Sequence, residues 1–160
     1  MRLRTLIVLR WMAVTGQVVA LIVAIDHFGL QIPVTPAALA VALAVLANIV
    51  FVLGFSETRR LSEPEAMLTL LFDISQLAFL LYLTGGINNP FALLMLAPVT
   101  ISATALRLRT TVFLGAMAIL LITLIAVRHE PLHDAQGGIL ALPGIFRFGF
   151  WLAIVIGVVF

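Results

Sequence analysis

Residues 36–55 read PAALAVALAVLANIVFVLGF, twenty positions in which Asn48 is the sole strongly polar side chain. At 1.5 Å per residue such a helix extends about 30 Å, the thickness of a bilayer's hydrocarbon core. It has no polar face to turn toward water, so its neighbours must be lipid or other apolar helices. The rest of the chain agrees. Hydrophobic residues make up 63% of the 160 and charged residues 10%, and the mean hydropathy is +1.24. A soluble domain of this size exposes too much surface to hide that much apolar area. The chain therefore reads as an all-α membrane protein.

Working outward from this run, the same measure predicts six spans, at residues 5–25, 36–55, 63–84, 90–106, 110–127 and 145–160. Thr35 before Pro36 and Asn89 before Pro90 each pair an N-cap residue with proline at the first helical position, where no backbone donor is lost. Ser62 with Glu65 has capping-box spacing, so the third helix should start near Glu63. The run at 5–25 is too long for a signal-peptide core and lacks a small-residue cleavage site, so it reads as a retained first span. No internal repeat is visible.

Arginine placement orients the expected six-helix bundle. Arg2, Arg4 and Arg10 precede or open the first span, Arg59 and Arg60 lie between the second and third, and Arg107 and Arg109 between the fourth and fifth. These ends are expected to be cytoplasmic, with both termini inside. The connections at 26–35, 85–89 and 128–144 then face outside, and Arg147 can snorkel to that interface. The 16 residues of the sixth span cover about 24 Å, so the helix is expected to continue past residue 160 into a cytoplasmic domain.

Several function classes are excluded or weakened. Without cysteine there is no disulfide, thiolate metal site or thiol redox chemistry in the chain. All nine basic residues are arginines, scattered between apolar runs in a topology pattern rather than a nucleic-acid-binding patch, so no direct nucleic-acid partner is expected. His129-Glu130-Pro131-Leu132-His133 matches the H-E-x-x-H pattern of zinc proteases. That chemistry needs both histidines on one helical turn, and Pro131 breaks such a turn. The segment reads as a solvated outer loop, and no metal is expected.

Polar residues within the spans say more, because each is costly in hydrocarbon and turns toward the bundle interior. Glu65, Thr69, Asp73 and Gln76 share one face of the third helix. Asp73 lies about 15 Å along that helix from Glu63, near mid-bilayer, and needs a partner or a proton. The candidates are Arg10 and Gln17 on the first helix and Asn48 on the second; Arg10 is favoured because it lies in the same leaflet. Asp73 is open to two readings, a structural contact or a coupling acid.

The segment Gly85-Gly86-Ile87-Asn88-Asn89-Pro90-Phe91 reads structurally as a tight outer hairpin, with glycines ending one helix and Asn89 and Pro90 opening the next. The same geometry places unpaired helix-terminal donors, two carboxamides and the Phe91 ring at a membrane interface. An apolar molecule with carbonyl oxygens, such as a quinone, would find donors and an aromatic face there.

Gly85-Gly86-x-x-Asn89-Pro90-Phe91 resembles the G-G-x-x-N-P-F heptapeptide of the RegB/PrrB/ActS redox-responsive sensor histidine kinases. The resemblance extends through Leu3-Arg4-Thr5-Leu6, Leu9-Arg10-Trp11, Leu71-Phe72-Asp73, Leu83-Thr84, residues 96–100 and Phe148-Gly149-Phe150-Trp151. It implies a ubiquinone-responsive six-span sensor domain in the bacterial inner membrane, followed by a cytoplasmic dimeric kinase with a cognate response regulator. The phosphoacceptor histidine, the ATP-binding domain and the redox-active cysteine would all lie past residue 160. The implied site residues are Asn88, Asn89 and the Phe91 amide as donors, the Phe91 ring as a stacking surface, Gly85 and Gly86 as backbone freedom, Pro90 as the helix opener and Trp151 as a further wall. The rival readings are a small proton-coupled transporter or channel subunit using Asp73, and a ligand-free membrane anchor.

Overall fold

A computed structural model describes residues 3–55 and 59–160; Arg2, counted above among the orienting arginines, lies outside them. Apolar runs become helices because in lipid every backbone polar group must be satisfied within its own segment. The helices are α1 (Leu3–Ile22), α2 (Val34–Gly54), α3 (Glu63–Leu83), α4 (Leu96–Ala105), α5 (Leu108–Val127) and α6 (Gly144–Val159). Four helical segments, Leu3–His27, Val34–Gly54, Glu63–Leu83 and Leu108–Val127, are long and apolar enough to cross a membrane; Pro90–Ala105 and Gly144–Val159 are shorter apolar helices.

The helix ends follow local chemistry, with some corrections to the expected boundaries. The α1 helix runs on through a π-helical turn at Val23–His27 instead of stopping at 25. The α2 helix starts at Val34 with Pro33 as its cap, which moves Thr35 and Pro36 into the first turn. The α3 helix begins at Glu63 as expected, with the Glu65 carboxylate accepting from Ser62 N and Oγ, both at 2.8 Å.

The fourth segment is not one α-helix over 90–106. Asn89 does cap it, accepting from Phe91 N at 2.9 Å, but Pro90–Met95 winds as a 3-10 helix and α4 begins only at Leu96. Pro98 accounts for this: its ring would clash with the Leu94 carbonyl of a continuous α-helix, whereas third place in α4 lacks an intrahelical donor anyway. The α5 helix starts at Leu108 and α6 at Gly144, two residues and one residue earlier than expected.

The α3 helix is the hub, packing on α2, α4 and α5, while α1 packs on α2, and α6 lies outside against α5 and α4. The main core joins Leu70, Ile74, Leu81, Met95, Leu114 and Ile122, all nearly inaccessible. Leu43, Leu53, Phe146 and Val159 on the bundle's outside are exposed, as surfaces bathed in lipid are. One end of the bundle gathers Leu3, whose amide donates to Arg59 O, and Arg107, ion-paired to Glu63 at 2.9 Å. The other gathers the three connections predicted to lie together: Gln31 pairs with His133 in a β-bridge, and Glu130 N donates to Tyr82 O.

Candidate functional site

The heptapeptide begins where α3 must stop. Gly85 and Gly86 take left-handed φ of +94° and +62°, conformations that glycine adopts without steric cost. They also admit a close neighbour. A Cβ on Gly86 would meet His129 Cγ at 2.7 Å, and one on Gly85 would meet Leu132 Cβ at 3.0 Å. The two glycines thus let the 128–143 connection press onto the turn, a role beyond the expected freedom for a ring to approach. That connection is non-helical through 129–133, as Pro131 requires, but it is not simply solvated: Leu132 is buried and His129 half-buried.

Asn88 is held tightly. Its Nδ2 donates to Gly85 O at 3.0 Å and lies 3.1 Å from His129 Nε2, and its Oδ1 accepts from Leu142 N at 3.0 Å. Both amide hydrogens are thereby engaged, so Asn88 is a structural clasp and not the free donor expected of it. His129 Nδ1 in turn lies 2.9 Å from Ile125 O near the end of α5. Asn89 caps Phe91 N and donates from Nδ2 to Thr84 Oγ1 at 2.8 Å. The Phe91 amide is therefore occupied by the cap, and Asn89 keeps one spare N–H.

Phe91 is 41% exposed. With Asn89, Pro90 and Leu94 it walls an apolar cavity of about 180 Å³, completed by Gln17 and Leu21 of α1, the end of α3, and Leu132. Trp151 does not join it. Its Nε1 donates to Thr123 Oγ1 of α5 at 2.9 Å, and it lines a different depression with Ile87 and Arg147. Successive heptapeptide side chains point to different sides of the turn, which spacing along the chain does not reveal. Arg147 donates to Ala126 O at 2.9 Å, satisfying a terminal carbonyl of α5.

Deeper in the bundle, the polar face of α3 meets α1 and α2. Arg10 Nη2 lies 2.9 Å from Asp73 Oδ1, the pairing favoured on depth. Gln17 and Gln76 exchange hydrogen bonds at 3.0 and 3.2 Å, and Gln76 also donates to Ala40 O. Asn48, fully buried, donates to Ile7 O at 3.3 Å. The Arg10 guanidinium lies 5.6 Å from the Phe51 ring centre and 5.4 Å from that of Phe72. Gln17 belongs both to this network and to the cavity wall, a double placement that its sequence position does not suggest.

A helical bundle of apolar segments, with a clasped turn at one end and a polar seam inside, is the architecture of a multi-pass membrane domain. The chain belongs to the family of PilS-like transmembrane domains, whose model matches residues 2–157. Over 159 residues, 99% of this chain, it is 55% identical to the sensor histidine kinase RegB of Cereibacter sphaeroides, and 56% identical to the RegB of one strain of that species. Each match covers 34% of the relative, so the chain spans about a third of the length of these curated proteins. No solved structure matches it. The similarity to RegB-type kinases, expected from the heptapeptide, thus extends along the whole chain.

Proposed function

We propose that this chain is the membrane sensor domain of a two-component histidine kinase that follows the redox state of the ubiquinone pool. The observation that carries the reading is the double engagement of the heptapeptide. Asn89, Pro90 and Phe91 wall an apolar cavity, while Asn88 grips Leu142, two residues before α6. A ligand against Phe91 would bear on the turn that holds the start of the sixth helix. If quinone and quinol differ in affinity for two packings of that turn, pool composition shifts their populations, and α6 transmits the shift to a kinase beyond it.

The cavity suits a quinone head in part. It offers an aromatic face, apolar walls, the spare Asn89 N–H and the Gln17 carboxamide, and few polar handles are what such a head needs. We further propose six spans with both ends cytoplasmic, in the bacterial inner membrane, as a homodimer that addresses a response regulator. The 3-10 winding supports a spanning fourth segment: six residues at 2.0 Å and ten at 1.5 Å reach about 27 Å, close to the core thickness.

The test is Phe91→Leu, which keeps an apolar side chain and removes the ring. In the purified protein, this variant retains its melting temperature without ligand but loses most of the upward shift that decylubiquinone produces in the wild type. An undiminished shift would sink the reading.

A further inference from the structure

We propose that His129 is a proton-operated latch: its neutral imidazole holds the chain before α6 to the heptapeptide turn, and protonation releases it. The hydrogen bonds around the ring fix its charge state. Ile125 O can only accept, so His129 Nδ1, 2.9 Å away, carries a hydrogen. The orientation of the Asn88 amide is fixed independently. Gly85 O can only accept and Leu142 N can only donate, so Nδ2 faces the first and Oδ1 the second, each at 3.0 Å. Nδ2 then also donates to His129 Nε2 at 3.1 Å, which makes Nε2 the bare, accepting nitrogen. An imidazole that donates at Nδ1 and accepts at Nε2 is neutral.

The cation cannot complete this pattern, because a hydrogen on Nε2 would point at the hydrogen on Asn88 Nδ2. The ring has little room to turn aside, since Gly86 lies so close that a Cβ there would come within 2.7 Å of His129 Cγ. Turning the Asn88 amide over gives the imidazolium an acceptor, in a charge-assisted bond stronger than a neutral one. The same turn takes Oδ1 away from Leu142 N and presents an N–H to it instead. Leu142 stands two residues before α6, so the sixth helix loses its polar tie to the turn.

The charged and titratable groups on the surrounding elements leave the ring to itself. Arg128 and Glu130 flank it and are exposed, which gives protons a path to it. The Glu130 carboxylate accepts from Tyr82 Oη of α3 at 3.2 Å, and Arg147 of α6 donates to Ala126 O of α5. Further along the connection, His133 lies in the β-bridges to Gln31 and Ile139, and Asp134 accepts from the amides of Gln136 and Gly138. Asp26 and His27 lie at the end of α1. Histidine is the side chain that ordinarily changes charge between about pH 5 and 8, so the latch responds to mild acid. It does not depend on the quinone reading, and its test contains no quinone.

The readout is hydrogen exchange at the Leu142 amide in purified protein in nanodiscs, expressed as a protection factor so that the intrinsic pH dependence of exchange drops out. Between about pH 7.5 and about pH 5.5, protection is expected to fall at least about tenfold, the share of one hydrogen bond. His129→Gln offers Asn88 a neutral acceptor that does not titrate, and its protection should stay flat. His27→Gln with His133→Gln should keep the wild-type fall. No fall in the wild type, or an undiminished fall in His129→Gln, overturns the proposal. A second measurement needs no substitution at the ring: nitrogen NMR of isotope-labelled histidine should show the neutral Nδ1–H tautomer of His129 at the higher pH, and its protonation should track the loss of Leu142 protection. The opposite tautomer, or two titrations that do not coincide, would equally reject the latch.

Discussion

A methyl group on Gly86 would press to within 2.7 Å of His129 Cγ at a backbone φ of +62°. Both the clash and the left-handed strain oppose it, so Gly86→Ala should cost about 1–3 kcal/mol, by the scale of strained non-glycine backbone. Thermal unfolding of the purified variant measures this; an unchanged midpoint would mean that the 128–143 connection does not press on the turn. Asp73 sets up a second residue-scale expectation. Removing Arg10 leaves a buried carboxylate without its cation, at a cost of about 3–5 kcal/mol. The double variant Arg10→Ala/Asp73→Ala should therefore lose less than the sum of the singles, and additive losses in a double-mutant cycle would reject the pair.

Among elements, the outer contact of α6 with α5 rests on few polar links, one of them Trp151 Nε1 to Thr123 Oγ1. Trp151→Phe keeps most of the ring packing and drops that bond, so a loss of about 1 kcal/mol is expected. Thr123→Val should lose a similar amount and the pair no more than either alone. Small residues set how closely this helix lies. Added Cβ atoms at Gly115 and Gly157 would meet Val158 and Leu96 at 3.1 Å, the kind of close approach that small residues allow between membrane helices. The fourth segment shows how one residue reshapes an element: Pro98 is compatible with a first helical turn but not with an α-helix drawn unbroken from Pro90.

For the molecule as a whole, the two ends of the bundle carry different chemistry. Arg59, Arg107 and Glu63 gather at one, and the 128–143 connection, covering the heptapeptide, lies at the other. If the arginine-rich end is cytoplasmic, cysteine at the exposed Gln136 reacts with an impermeant reagent from outside the cell and cysteine at the exposed Ser62 does not. Labelling of Ser62 from outside would invert the proposed topology.

Much of this was legible in the chain. Hydropathy decides where helices form, because lipid leaves the backbone no other partner, and that choice is made segment by segment. The start of α3 at its capping box and the Asn89 cap are equally local, made by residues within a few positions of one another. Depth along two helices was enough to pair Arg10 with Asp73. The tertiary structure alone decided the uses of the heptapeptide. Its glycines admit His129 and Leu132, Asn88 spends its amide on the segment before α6, and Trp151 faces a different depression from Phe91. Each of these joins groups tens of residues apart, and local propensity carries no record of which distant side chain will fill a given valence. Such partners are selected only when the helices pack and every buried donor competes for the acceptors within reach.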